Sequence, residues 1–325
     1  MKVTRETTRS AVAGAVAGGA ARCRVCGSEE CEVLGPPVYR LPHNVAGVPI
    51  DLSDLDLSYC RCRACGYEFI FPPIPDERLL ECYRTAAADR WETDGNVTGA
   101  RGYARKKAVL DRFAPGRRVL DFGCFDGGFL GYLGPDYDRW GIEPSATAAE
   151  AARGRGVRIL GATVDAVDPA VTEPFDAITV FDVVEHLNWP VDVLRKVGRL
   201  LKRGGVVLVE TGNTDARMWR RVGRFYQYCS YVDHVGFFNP TSIREAGRRG
   251  GLEVASVERT VHTEMPPAAV LGNAIYNSVY CLIRGATRLG LPLPRRLGQI
   301  GRGPFPRTTD ARDHLLAVLR RPVGE

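Results

Sequence analysis

Residues 119–130 read VLDFGCFDGGFL, an apolar run that ends on an acid and then breaks into glycines. A buried strand that stops at a glycine-rich turn and runs into a helix forms a strand–turn–helix unit. The turn of such a unit lets a nucleotide-like ligand approach the backbone. A dinucleotide fingerprint brings its second glycine against a pyrophosphate, and Phe125 stands at that place here. NAD and FAD are therefore poor fits, and a ligand without phosphates suits the turn better.

The unit repeats beyond Pro115-Gly116. Strands are expected at RRVLDF, DRWGIEP, VRIL, FDAITVFD, VVLVET, LEVASVERT and, near the end, HLLAVLRRP. Between them lie helical stretches: GGFLGYL, SATAAEAARGRG, NWPVDVLRKVGRLLKRGG and TSIREAGRRGG. In the third of these, Val191, Leu194, Val197 and Leu201 line one face, and Gly204-Gly205 is read as its end. Alternation on this scale predicts an α/β fold, a doubly wound, seven-stranded, mostly parallel sheet with helices on both faces. Ligands of such sheets sit outside the carboxyl ends of the strands.

Two CxxCG knuckles stand before this core, Cys23-Arg-Val-Cys26-Gly27 and Cys62-Arg-Ala-Cys65-Gly66. Two thiolates on a tight turn reach one tetrahedral ion, and the glycine permits the turn. Four such ligands leave no open position, so the expectation is a structural zinc ion in a small zinc-ribbon module. Cys31 and Cys60 are spare candidates. The first 20 residues lack the Leu, Ile and Phe of a secretion signal and are read as a flexible tail. Ten cysteines without a signal suit a reducing cytoplasm. No run of apolar residues is long enough to span a membrane.

The net charge of +6 is mild but unevenly spread: residues 265–309 hold six arginines and no acid. Within this insertion Leu271, Ile275, Val279 and Leu282 recur at helical spacing, with Asn273, Asn277 and Arg284 on the other side. A packed helix with a solvated basic loop is the default reading. A lid, a dimer contact and peripheral contact with anionic lipid through 268–307 are its rivals. The domain plan is a tail (1–20), the ribbon (21–75), a helical linker (76–115), the ligand-binding core (116–263), the basic insertion (264–309) and a last core strand (310–325).

Over roughly residues 105–260 the motifs resemble the class I S-adenosylmethionine (SAM)-dependent methyltransferases, whose fold is Rossmann-like. The first motif of that family stands at 119–127, with only its middle glycine replaced, by Phe125. The resemblance implies that Asp121, Gly123, Cys124, Phe125 and Gly127 pack the amino-acid end of SAM. It implies that Glu143, about 20 residues on, chelates the ribose hydroxyls. Asp165 or a neighbour would flank the adenine, and Asp182 would be a further cofactor contact.

Methyl transfer needs alignment and, for some acceptors, a base. Tyr231, Asp233 and His234 resemble the Tyr-x-Glu-His cluster of zinc-bearing deoxysugar C-methyltransferases, which also begin with two cysteine knuckles and carry a His after strand four, here His186. That resemblance implies His234 as general base, with Tyr231, Asp233 and His186 beside it and Asp233 orienting the His234 ring. Tyr83 and Trp91 are candidates to wall the substrate pocket. The resemblance implies a sugar, such as a sugar nucleotide, or another specialised metabolite as acceptor, and a membrane role for the insertion would suit a lipid-linked saccharide. The large carboxy-terminal domain of those enzymes is not expected here, which leaves the identity of the acceptor open. Two other readings stay open. One is an rRNA or tRNA methyltransferase with a zinc-ribbon RNA-binding module, against which stand the sequence FDVVEH after strand four and the local charge. The other is a non-catalytic zinc-ribbon scaffold.

Overall fold

The computed structural model describes residues 21–86, 100–170, 172–261, 267–294, 296–297 and 312–324. The amino-terminal part carries β1 (Cys31–Gly35), β2 (Asn44–Val45), β3 (Val48–Pro49), β4 (Ser58–Cys62), β5 (Glu68–Phe71) and α1 (Asp76–Thr85). Then follow α2 (Ala100–Phe113), β6 (Arg118–Phe122), α3 (Gly128–Leu133), β7 (Asp138–Ile142), α4 (Ala146–Gly154), β8 (Arg158–Gly161), β9 (Phe175–Phe181), α5 (Pro190–Arg199) and β10 (Leu201–Gly212). The rest comprises α6 (Arg217–Val222), β11 (Gly236–Phe237), α7 (Pro240–Arg249), β12 (Glu253–Thr260), α8 (Pro267–Arg288) and β13 (His314–Arg320).

Seven strands form the main sheet in the order β12-β13-β10-β9-β6-β7-β8. The pairs β6–β7, β6–β9, β7–β8 and β9–β10 are parallel, and β13 runs against both its neighbours. Each strand expected from the sequence is present, and the fold is the Rossmann-like one. The run FDAITVF of β9 lies at the middle of the sheet and is buried almost throughout, as a strand covered on both faces must be. The chain leaves the sheet's edge at β8 and returns to the other side of β6 at β9. The crevice outside the ends of β6 and β9 is therefore the switch point where ligands bind.

The helix expected to run to Gly204-Gly205 ends at Arg199. Leu201 is already paired with Phe175 in the sheet, and the chain turns through Gly204 at φ +77° before the regular ladder resumes at Val206. Burial of Leu200 and Leu201 against the sheet wins over continuing the helix. Helix α7 follows its caps closely. Asn239 accepts from the backbone N–H groups of Thr241 and Ser242, Ser242 closes the capping box, and Pro240 opens the helix.

The amino-terminal sheet is not a bead on a string. Its order is β1-β4-β5-β11, so its last strand comes from the core. Gly236 of β11 lies so close to Tyr67 that a Cβ there would collide with the phenol oxygen. Helix α8 lies where the basic insertion was expected to be helical, but it exposes the Leu271, Ile275, Leu282 stripe and buries Asn277 and Arg284. Among the described residues no helix is long and apolar enough to cross a membrane.

Candidate active site

The turn after β6 is built from left-handed backbone. Gly123 and Gly127 stand at φ +80° and +75°, where a side chain would strain the chain. Phe125 adopts φ +48° all the same, at a cost of about 1–2 kcal/mol for a residue with a Cβ. Asp121, the penultimate residue of β6, is buried and accepts from the Thr179 hydroxyl at 2.6 Å. Burial raises its pKa to about 7, against the pull of Thr179 and the Lys106 charge. Glu143, just past β7, accepts from the Phe125 N–H at 2.9 Å and the Ser145 N–H at 2.8 Å. Each carboxylate oxygen so uses one acceptor site and keeps another. This half-buried carboxylate at the carboxyl edge thus fits a ribose diol while it fixes the turn.

Asp182, at φ +53°, follows β9 and lies 3.9 Å from both Lys106 Nζ and His314 Nε2. Asp165 lies elsewhere. It sits on an exposed turn with its carboxylate paired to Lys196, because the short 3-10 turn at Val164–Ala166 buries Val164 and turns Asp165 outward.

The proposed proton-handling residues do converge. His186 Nδ1 lies 3.0 Å from the Tyr83 hydroxyl and 3.3 Å from Asp233 Oδ2, and Tyr83 donates to that same oxygen at 3.2 Å. The His186 and His234 rings are 4.8 Å apart, and the Tyr231 ring is 5.0 Å from His234 with the Arg40 guanidinium over its face at 4.5 Å. Asp233 was expected to orient His234. Instead its carboxylate serves His186 and Tyr83, since neighbouring side chains on this segment diverge. The group at His234 Nδ1 is the Tyr228 carbonyl, at 2.7 Å. Tyr83, expected as a pocket wall, joins this network through its hydroxyl; Trp91 lies outside the described residues.

Electrostatics separate the two histidines. Burial opposes charge on His186, but Asp233 and then Glu185 hold its pKa up at about 9. Burial, and then the charge on His186, drive His234 down to about 3. Asp233 is held at about 2, burial notwithstanding, by His186. A charged His186 paired with Asp233 thus stands beside a neutral His234. With its Nδ1–H given to the Tyr228 carbonyl, His234 carries its lone pair on Nε2.

Several residues of the site escaped the sequence reading. Glu185 is fully buried, accepts from the Thr211 hydroxyl at 2.9 Å and from the Tyr228 hydroxyl, and lies with His186 and His234 inside a 4.8 Å cluster of ligand atoms. Lys106 of α2 is buried against Glu210 at 2.5 Å and over the Phe181 ring at 4.3 Å. His314 pairs with Asp313 at 2.9 Å, and Tyr226 donates to the other oxygen of that Asp at 3.0 Å. Adjacency to His186 could have flagged Glu185. The others come from distant segments and carry no local signal.

The four knuckle cysteines also meet. Their sulfurs all lie within 4.8 Å of one another, with Cys23–Cys65 at 3.6 Å and Cys26–Cys62 at 3.4 Å. A disulfide needs about 2 Å, whereas thiolates tetrahedral about zinc at about 2.3 Å stand about 3.8 Å apart. Gly27 and Gly66, at φ +74° and +72°, donate back to the carbonyls of Cys23 and Cys62 at 2.9 Å and close both turns. The donor set fits a structural zinc ion.

A family model described as a methyltransferase domain matches residues 99–257. The ubiquinone biosynthesis O-methyltransferase of Thiobacillus denitrificans is 31% identical over 160 residues, which are 44% of this chain and 68% of that protein. Its counterpart in Methylococcus capsulatus is 29% identical over 157 residues, 44% of this chain and 66% of that one. Among solved structures, magnesium protoporphyrin IX methyltransferase from Synechocystis, with bound SAH, is similar at 12% identity and a TM-score of 0.49, covering 76% of this chain and 100% of that one. The chain belongs to the SAM-dependent methyltransferases. Its aligned part spans about two thirds of these relatives' own length.

Proposed function

We propose that this protein transfers a methyl group from SAM to a small-molecule acceptor, a sugar or another specialised metabolite, and that the acceptor's proton leaves through His234. The observation that carries the reading is the Tyr83–Asp233–His186 network beside His234, held by the segment after β9 whose Val183 lies against Gly123 of the glycine turn. SAM, when bound, supplies an electrophilic methyl group on a sulfonium centre. Glu143 would hold its ribose hydroxyls, and the turn residues Gly123, Cys124, Phe125 and Gly127, with Asp121 and Asp182 around them, its amino-acid end.

The roles of the chain's residues follow from their charges. His186, fixed by Asp233 and Tyr83, contributes positive charge where an acceptor oxygen becomes anionic. His234 accepts the proton at Nε2, its basicity raised by the negative charge that develops on the acceptor oxygen as the proton leaves. Tyr231 covers the ring from the half-exposed side. An oxygen acceptor is favoured by the names of the two relatives; an enolisable carbon acceptor would use the same residues. Four cysteines, Cys23, Cys26, Cys62 and Cys65, would hold a structural zinc ion that braces the amino-terminal sheet against β11. Asp165, paired with Lys196, is the weakest fit to a cofactor role.

The test is transfer of labelled methyl from SAM into an extract of the source organism, separated into water-soluble metabolites, lipids and nucleic acid. Label in a small metabolite that disappears with His234→Ala supports the reading. Label in RNA overturns the choice of acceptor, and SAM binding without label in any fraction points to a scaffold.

A further inference from the structure

Helix α8 is built inside out. The face it turns to the protein carries Asn277, Tyr280 and Arg284, exposed by 2%, 1% and 8%. Tyr280 shares a core with Trp219 and Val222 of α6, and the Arg284 guanidinium lies over the Phe225 ring at 3.2 Å. The opposite face carries Leu271, Ile275, Leu282 and, one residue past the helix, Leu289, exposed by 64%, 61%, 73% and 78%. These positions advance by four, seven and seven residues, so they form one straight stripe on a helix of 3.6 residues per turn. Val279 lies beside it, about half exposed, and exposed Leu291 follows. Single leucines on a surface need no explanation, but a contiguous stripe opposite a polar buried face marks a contact surface.

The charge around the stripe selects its partner. Helix α8 contains Arg284 and Arg288 and no acid. Arg224, Arg284 and Arg288 lie close enough that each of Arg224 and Arg284 is destabilised, after burial, by the charge of its neighbours. Helix α6 adds exposed Arg217, Arg220 and Arg221. A second copy of this chain docked stripe to stripe would set one arginine cluster near another. A bilayer surface of anionic lipid offers a partner for both features: acyl chains for the leucines and phosphates for the guanidinium groups.

We infer that α8 is a monotopic anchor that lies in the headgroup layer of an anionic membrane, with the leucine stripe inserted and the exposed Arg288 on lipid phosphate. This goes beyond the proposed reaction and does not depend on it, because binding is read without turnover. The test is flotation of the full chain with phosphatidylcholine vesicles, with and without about one third phosphatidylglycerol. Binding should require the anionic lipid and weaken with salt. The double variant Leu271→Asp/Leu282→Asp should lower it by at least about tenfold, with SAM affinity by calorimetry unchanged. Arg288→Glu, which leaves the stripe intact, should lower it roughly fivefold or more and serves if the double variant fails to fold. Absence of binding to anionic vesicles overturns the inference. So does a concentration-dependent dimer, seen by light scattering, that the leucine substitutions abolish.

Discussion

Replacing Asp233 with Asn removes the carboxylate that keeps His186 charged, and the structure sets the size of the effect. The rise of His186 from an ordinary 6.5 to about 9 is worth about 3 kcal/mol, at about 1.4 kcal/mol for each tenfold change. The lowered Asp233 reports the same attraction from its other end, so it is counted once. A raised histidine stabilises the fold fully below its unfolded value, and that contribution is lost as pH rises through the folded one. Wild-type unfolding free energy should therefore fall by about 3 kcal/mol between about pH 6 and pH 10 from this group. The Asp233 carboxylate keeps its contribution above its ordinary 3.8 and loses it only as pH falls toward about 2. In Asp233→Asn the buried His186 turns neutral near pH 7 and its share of the alkaline decline disappears. At neutral pH the variant should be about 3–5 kcal/mol less stable, as for other broken buried pairs. Urea denaturation of both proteins at about pH 6, 7.5 and 10 measures the difference, and the imidazole Cε1 proton signals give the His186 titration directly. A variant that keeps the wild-type alkaline slope, or a wild-type His186 that titrates below 7, would refute this account of the pair.

The other predictions concern chemistry, cofactor and metal. His234→Ala should lower turnover on the true acceptor by roughly 10²–10⁴-fold with SAM affinity retained; near-normal turnover would make the residue structural. Glu143→Ala should weaken SAM binding by about 10–100-fold, as expected for lost charged hydrogen bonds, and calorimetry showing an unchanged Kd would remove it from the ribose site. One zinc ion per chain should be released by denaturation in a colorimetric chelator assay and lost in Cys23→Ser/Cys65→Ser. A fully folded, metal-free preparation would show that the thiols merely pack.

What could be read from the sequence was what repeats along it. Strands such as 175–181 announce themselves because a strand buried on both faces has nowhere to put a polar residue. The two knuckles are legible because a metal imposes spacing on its ligands. Asp121 and Glu143 stand where strand ends and glycines place them. Contacts between distant segments were not legible. Lys106 of α2 meets Glu210 of β10, and His314 of β13 nears Asp182, through packing of distant segments that no local pattern encodes. Asp233 was assigned to its sequence neighbour, but it turned to a histidine 47 residues away. The stripe on α8 was visible as periodicity, yet periodicity gives the spacing of a face and not which way it looks. Leu201 fits the helical spacing yet pairs with Phe175 in the sheet, because an apolar residue at that spacing serves a strand equally well.

One ladder of backbone hydrogen bonds has consequences for how the molecule can be cut. Ile70 of the cysteine segment donates to the Val235 carbonyl at 3.0 Å, and Val235 donates to the Glu185 carbonyl at 2.9 Å. His234 is the residue before that junction and Gly236–Phe237 the strand after it. The cysteine segment is therefore joined through the backbone to the residues on either side of both histidines and cannot be treated as a detachable tag. A truncation that begins at the methyltransferase motifs would keep the cofactor turn and strip the scaffolding from both histidines. On the proposed reading such a fragment would lose its reaction before its cofactor site, and activity screens should use the chain with its cysteine segment.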